Sequence, residues 1–292
     1  MMNTKYFNIA DFSIKLNSES NIEVEEGYLP FLSTDEISTP DVTVECFLGM
    51  PEISFNEVDL VFEAKNEQQK FYSIYQLGNE LAFLMYNQQT KDEIQQVAYL
   101  DASYSNWRVY SDPFSDYSIW PLKYPFGPIM MHYLAVKSHA IMIHASCIFD
   151  GKTGRIFTGF SGNGKSTMSK IWADEGNLVI NDDRIIIRKR NDVFYAYNTP
   201  MYYKDRPKSA PLSAIFLIRH SPENQLKKIA GALAVSKVLA FCIQNNFEQK
   251  LIDNHLNVVS ELATEISVYE LGFVPDASVV KFVLENETNG SN

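Results

Sequence analysis

Eight consecutive positions in this 292-residue chain have the residue types that phosphate binding requires, Gly159-Phe160-Ser161-Gly162-Asn163-Gly164-Lys165-Ser166, a match to G-x-x-x-x-G-K-[ST]. Glycines let backbone N–H groups curve around phosphate oxygens without Cβ clashes. Lys165 supplies a point charge for β- and γ-phosphates, and the Ser166 hydroxyl is a hard oxygen ligand suited to Mg²⁺. Candidate nucleotide contacts are therefore Ser161, Gly162, Asn163, Gly164, Lys165, Ser166 and Thr167. A helix starting near Gly164 would add its positive dipole end. Such a pattern arises by chance on the order of once per hundred chains of this length, so its surroundings must decide. Ile156-Phe157-Thr158 reads as a strand leading in and Thr167–Ala173 as a helix leading out, the order a phosphate loop needs.

Phosphoryl chemistry also needs an acidic group at the end of a neighbouring strand, to hold the metal or take a proton. Asp182 and Asp183 close the apolar run Leu178-Val179-Ile180, one helix and one strand after Lys165, which is the spacing of a βαβ unit. An Asp pair by itself is more often a solvated turn; beside the loop it becomes a candidate for metal binding and general base. His144 lies in the apolar strand Ile141–Phe149 ahead of the loop. A lone histidine there is usually core packing, but its position puts it among the candidates. Arg219, ending the apolar run Ala214–Ile218, is suited equally to phosphate or to a salt bridge.

The elements that must position these residues follow from patterning. From Tyr6 to about Asp112 the chain shows short apolar runs of strand length: Phe7–Leu16, Val42–Leu48, Phe71–Leu77, Leu81–Tyr86 and Trp107–Tyr110. Gly78-Asn79 marks a hairpin between the third and fourth. Pro113, Pro121, Pro125 and Pro128 punctuate a connector, and Ile129–Val136 reads as a helix after it. Two domains are expected, a β-rich region over 1–124 and an α/β domain over 125–292. In the latter, Arg184–Arg190 and Val193–Tyr197 read as strands, Ser236–Ile243 and Glu248–Thr264 as helices, and Ile266–Leu271 as a last strand.

Bulk properties exclude several classes. A net charge of −11 argues against nucleic-acid and anionic-membrane partners, which need broad basic surfaces, while leaving room for a local basic pocket. Cys46, Cys147 and Cys242 are odd in number, far apart and each in an apolar stretch, as expected of buried thiols in a reducing compartment. With no apolar leader and no long apolar run, a cytoplasmic location is expected. The oligomeric state, including a homo-oligomer, is left open.

The succession His144-Ala145-Ser146, then Gly159 through Thr167, then Asn181-Asp182-Asp183 resembles the kinase core of the HPr kinase and phosphoenolpyruvate carboxykinase superfamily, from about Ile141 to Tyr203. ATP-dependent carboxykinases show a similar His-x-Ser strand, Ser-Gly-x-Gly-Lys loop and Asp-Asp pair. The resemblance implies an α/β fold with a P-loop kinase core of this type, preceded by a β-rich N-terminal region. It implies ATP and Mg²⁺ as cofactors, Lys165 on the β/γ-phosphates, and Ser166 on the metal. Asp182 and Asp183 would divide metal binding and general-base work, in an order left open. His144 would either ligate a second divalent metal, as in carboxykinases, or assist the acidic base, as in HPr kinases. The implied activity is phosphoryl transfer from ATP to a hydroxyl acceptor, a Ser of a protein or peptide or a small molecule. The alternatives are a non-catalytic nucleotide-binding module and a carboxykinase-like enzyme. The upstream substrate motifs of carboxykinases and the acidic-apolar-Arg-Gly-Leu-Gly stretch of HPr kinases are both absent. What remains resembles the HPr-kinase-like proteins found beside peptide-modification genes, in which a β-rich N-terminal segment precedes a His-Ala-Ser strand and the loop.

Overall fold

The computed structural model describes residues 2–54, 56, 59–90, 93–113, 117–200, 205–244 and 248–287; Tyr203, where the sequence resemblance ends, lies outside them. The chain divides into two compact units, Met1–Leu134 with Pro200–Arg206, and Ala135–Thr199 with Pro207–Asn292. The boundary falls inside helix α1 (Phe126–Lys137).

In the first unit the strands are β1 (Asn3–Ile9), β2 (Phe12–Ser18), β3 (Asn21–Ile22), β4 (Leu32–Ser33), β5 (Val42–Leu48), β6 (Leu60–Lys65), β7 (Lys70–Leu77), β8 (Glu80–Tyr86), β9 (Ile94–Leu100), β10 (Asn106–Ser111) and β11 (Ser118–Ile119). Among the described residues, nine of them form one sheet in the order β4-β1-β2-β5-β10-β9-β8-β7-β6, and β11 pairs with β3. The run Phe7–Leu16, expected as a single strand, is two strands. Ala10 and Asp11 both take left-handed conformations, and Ile9 pairs with Phe12 across them, a two-residue hairpin. Apolar alternation continues on both sides of this turn and no glycine interrupts it, so periodicity alone does not reveal the break. At Gly78-Asn79 the expected hairpin is present, with Leu77 paired to Glu80.

The second unit contains β12 (Ala140–Phe149), β13 (Gly154–Thr158), α2 (Lys165–Asp174), β14 (Leu178–Asn181), β15 (Arg184–Arg190), β16 (Val193–Tyr197), β17 (Ser209–His220), β18 (Gln225–Ile229), α3 (Gly231–Leu239), α4 (Gln249–Glu265), β19 (Ser267–Phe273) and α5 (Ser278–Asn286). One sheet runs β14-β12-β13-β17-β19-β18, in which β13, β17 and β19 are parallel and β12 is antiparallel to both β13 and β14. Thus β13-α2-β14 is a parallel crossover with β12 lying between its strands. The long strands β12 and β17 extend beyond this sheet and pair with β15 and β16, respectively, to form a second one.

Successive side chains of β17 point to opposite faces. Ala214, Phe216 and Ile218 pack with Met168 and Trp172 of α2 and with Val279 and Val283 of α5. Ile215 and Leu217 pack with Ala234 and Val238 of α3 and with Val258, Val259 and Leu262 of α4. The unit is therefore a mixed α/β layer structure with α2 and α5 on one face and α3 and α4 on the other. Cys46, Cys147 and Cys242 are all buried, and burial pushes the Cys147 and Cys242 thiols upward in pKa. No helix among the described residues is long and apolar enough to cross a membrane.

Strand β13 carries one buried charge. The Arg155 guanidinium donates to Asp150 at 2.8 Å and to Glu287, and lies over the Trp172 ring at 5.5 Å. Removing one partner of a buried ion pair strands the other charges in a poor solvent. Arg155→Met should lower the urea unfolding free energy by about 3 kcal/mol; a loss below about 0.5 kcal/mol would show that these carboxylates are adequately hydrated without it.

Candidate functional site

The chain leaves β13 at Gly159, where there is no room for a side chain: a Cβ would lie 2.8 Å from the Ile218 carbonyl oxygen. The same carbonyl accepts a hydrogen bond from Asn163 Nδ2 at 3.0 Å, tying the middle of the loop to β17. Gly162 and Gly164 have φ values of 84° and 94°, a left-handed backbone costly for other residues. At Gly164 a Cβ would also lie 2.8 Å from Phe273 Cζ and 3.0 Å from His220 Cε1.

Gly164 is the N-cap of α2 and offers no side chain to its first turn. Most helices satisfy those N–H groups with a Ser, Thr, Asp or Asn cap. Here they are left for an external acceptor, with the dipole favouring an anion. The Ser166 and Thr167 side chains are exposed at this helix head. Lys165 is 8% exposed, and its ammonium donates to the carbonyls of Gly159 at 2.9 Å and Phe160 at 3.3 Å. The loop thus curls around its own lysine. Burial lowers the Lys165 pKa, and the charge of Asp183 opposes that shift.

The acidic pair sits on a turn organised by Asn181. Its buried side-chain oxygen accepts the N–H groups of both Asp182, at 2.7 Å, and Asp183, at 3.1 Å, the Asx geometry that ends a strand. The Asp183 carboxylate accepts from Arg184 at 3.0 Å, and its other oxygen is 3.6 Å from His144 Nε2. On β12, His144 is held through its backbone: its carbonyl accepts from the Thr158 hydroxyl at 2.8 Å, and its N–H donates to the Phe241 carbonyl at 3.1 Å. Burial lowers the His144 pKa first, Lys165 lowers it further, Asp183 raises it, and Arg184 lowers it.

Of the residues singled out in the sequence, His144, Lys165 and Asp183 come into one electrostatic cluster. Asp182 adjoins it through the shared turn, and Ser166 follows Lys165 at the helix head. Asn181, Arg184, Thr158 and Phe241 were not read from the sequence. Asn181 carried a signal, since an Asn before two acidic residues at a strand end is an Asx turn. The others act through pairings between distant strands. Among the described residues, no three His, Cys, Asp or Glu side chains gather as a metal-binding group.

Residues 128–205 match the family model described as phosphoenolpyruvate carboxykinase, a span that includes His144, the loop and both aspartates. Among solved structures the chain is similar to the HPr(Ser) kinase/phosphatase from Coxiella burnetii, at 11% identity and a TM-score of 0.33, covering 51% of this chain and 96% of that one. No curated protein matches the chain. The matched segment thus bears the carboxykinase likeness that its motifs indicate.

The electrostatic cluster makes a prediction about His144. By proton NMR its imidazole should titrate below 6.5, lower still in Asp183→Asn and higher in Lys165→Ala. Because the folded state resists protonating this ring, its contribution to stability is present above 6.5 and lost as pH falls through the folded value. A midpoint at or above 6.5 would contradict this environment.

Proposed function

We propose that this chain is an ATP-dependent phosphotransferase, with the nucleotide phosphates on the loop Gly159–Ser166 and a hydroxyl compound as acceptor. The observation that carries this reading is the uncapped head of α2 with a buried lysine beside it and an aspartate–histidine contact within its field. In this reading residues 125–292 are a P-loop kinase-like domain, and 1–124 is a β-rich region to which no chemistry is assigned.

The residues present fit the nucleotide and Mg²⁺. The glycine cap leaves helix N–H groups for phosphate oxygens, and the two carbonyls holding Lys165 stand where phosphate oxygens would compete for its ammonium. Ser166 and Asp182 supply hard oxygen donors of the kind Mg²⁺ takes. When bound, the metal neutralises charge on the β- and γ-phosphates. A second metal at His144 is not part of the proposal, because among the described residues no third His, Cys, Asp or Glu joins it and Asp183 in a metal-binding group.

Asp183 is assigned as proton acceptor because its carboxylate is held by Arg184 at 3.0 Å and lies 3.6 Å from His144 Nε2. Asp182 is left for the metal. During transfer the acceptor oxygen bonds to the γ-phosphorus while the bond from phosphorus to the bridging oxygen breaks. The electron pair leaves with ADP, and the hydroxyl proton passes to Asp183. His144, disposed to be neutral by its depressed pKa, is placed to relieve Asp183 of that proton. Lys165 and the loop amides hold charge on the phosphoryl oxygens.

Isothermal titration with ATP and Mg²⁺ is expected to show binding that Lys165→Ala weakens by about tenfold or more, while Asp183→Asn retains it and loses transfer by about a hundredfold in an acceptor screen of peptides, HPr-like proteins and alcohols. Unchanged ATP affinity in Lys165→Ala would reject the loop assignment. Tight ATP binding with no transfer to any acceptor would favour a nucleotide-binding module instead.

A further inference from the structure

A cavity borders the phosphate loop. It has a volume of about 570 Å³ and is bounded by Gly159 and Phe160 of the loop, Leu217 and Arg219 of β17, Ala240 just after α3, and Phe241. That volume is in the range of small-ligand pockets. Its wall is mainly apolar. Phe160, unusually for a large apolar residue, is 71% exposed, and its ring meets Phe241 edge-on at 5.2 Å. Lys237 and Glu270 also border it and neutralise each other as an ion pair. Arg219, exposed at its rim, adds a further cation there, and its charge acts on Glu270.

Three observations place this space relative to the reacting phosphate. Its rim residues Gly159 and Phe160 are the two whose carbonyls hold the Lys165 ammonium, so it opens beside the expected γ-phosphate. Its wall residue Phe241 accepts the backbone N–H of His144. And its β17 side chains Leu217 and Arg219 lie on the face of the sheet covered by α3, opposite the face covered by α2, whose head would take the rest of the nucleotide; Ile218, which packs toward α2, and Asn163 of the loop complete the lining. Attacking and leaving oxygens lie on opposite sides of the transferred phosphorus. The space across from α2 is therefore on the attacking side.

We infer that this cavity is the acceptor pocket, and that the acceptor carries next to its hydroxyl an apolar group about the size of an aromatic side chain, which lies against Phe160 and Phe241. The inference rests on the phosphotransferase reading above. The acceptor chemistry is shared by a peptide with a Ser beside a large apolar residue and by a small aromatic alcohol.

Ala240 is exposed on the wall, so Ala240→Trp fills the cavity without disturbing the core, and Ala240→Leu fills it less should the larger change impair folding. Two probe pairs separate the sources of the acceptor: N-acetyl-Ser-Phe-amide against N-acetyl-Ser-Gly-amide, and 2-phenylethanol against ethanol. In at least one pair the aromatic member should be phosphorylated with a kcat/KM about tenfold higher or more, an advantage that Ala240→Trp removes. Titration of the variant with ATP and Mg²⁺ should give an affinity within about twofold of the parent. If instead the variant loses ATP affinity about tenfold but still binds Mg²⁺-tripolyphosphate, the cavity holds the nucleoside and the inference is overturned. Equal rates within both pairs overturn it as well. Failure of the unaltered protein to bind ATP or tripolyphosphate would refute the phosphotransferase reading itself, a result distinct from these.

Discussion

The backbone hydrogen bonds that hold β13 along both edges, to β12 on one side and to β17 on the other, determine where the chain leaves the sheet. A five-residue strand with one free edge could slide or twist. Gripped on both, it delivers Gly159 against the Ile218 carbonyl, in a space that admits no Cβ. The loop must then turn back over the sheet end, and left-handed glycines at 162 and 164 let it do so before α2 begins. The packing of Trp172 and Met168 against Phe157 and Phe216 sets the direction of the helix, and hence the direction of its uncapped N–H groups. The site is a consequence of strand pairing first and of side-chain chemistry second.

The electrostatics are arranged around a single buried ammonium. A charge taken out of water must be compensated, and Lys165 finds two carbonyl oxygens of its own loop and the field of Asp183. Carbonyl dipoles are weaker partners than phosphate oxygens bearing full charge. An arriving polyphosphate would therefore displace them with a gain, and the loop would open only as far as that exchange requires. The second cation, Arg184, holds the Asp183 carboxylate, and burial first, with the two cations adding to it against Asp183, lowers the His144 pKa. Strand pairing sets this too, since His144 and Arg184 are register partners on β12 and β15.

Chemistry was the most legible part of the sequence, because the loop is contiguous and each residue type in it has a separate physical task. His144 and Asp183 could be proposed as neighbours only from their order along the chain; their 3.6 Å contact depends on the pairing of β12 with β15 and, past an irregularity at Cys147-Ile148, with β14, which leaves no local pattern. The β-rich character of the first half was readable from short apolar runs, but not the hairpin at Ala10-Asp11, where residues without glycine's freedom take left-handed backbone. Strand β9 was missed because Gln95 and Gln96 break its apolar run, although Gln96 is buried and donates to the Trp120 and Pro121 carbonyls. Helix α3 begins at Gly231, five residues ahead of the expected Ser236, since a glycine at a helix start reads in sequence as a breaker.

The overall charge of −11 and a polyanionic ligand are compatible only if the relevant field is local. At physiological salt, charges more than about 8 Å from the loop are largely screened where solvent intervenes, so the net charge of the chain does not set the field at the loop. Close to it the balance reverses. Lys165 and Arg184 face Asp183, while Arg219 stands exposed at the cavity rim and Lys237 is offset by Glu270. Counting these six side chains and Asp182 on the shared turn, four are cationic and three anionic, before the helix dipole is added. A net negative charge is thus no obstacle to a local site for a single nucleotide, because recognition of one triphosphate needs a few well-placed donors, whereas a nucleic-acid backbone needs cations spread over a broad surface.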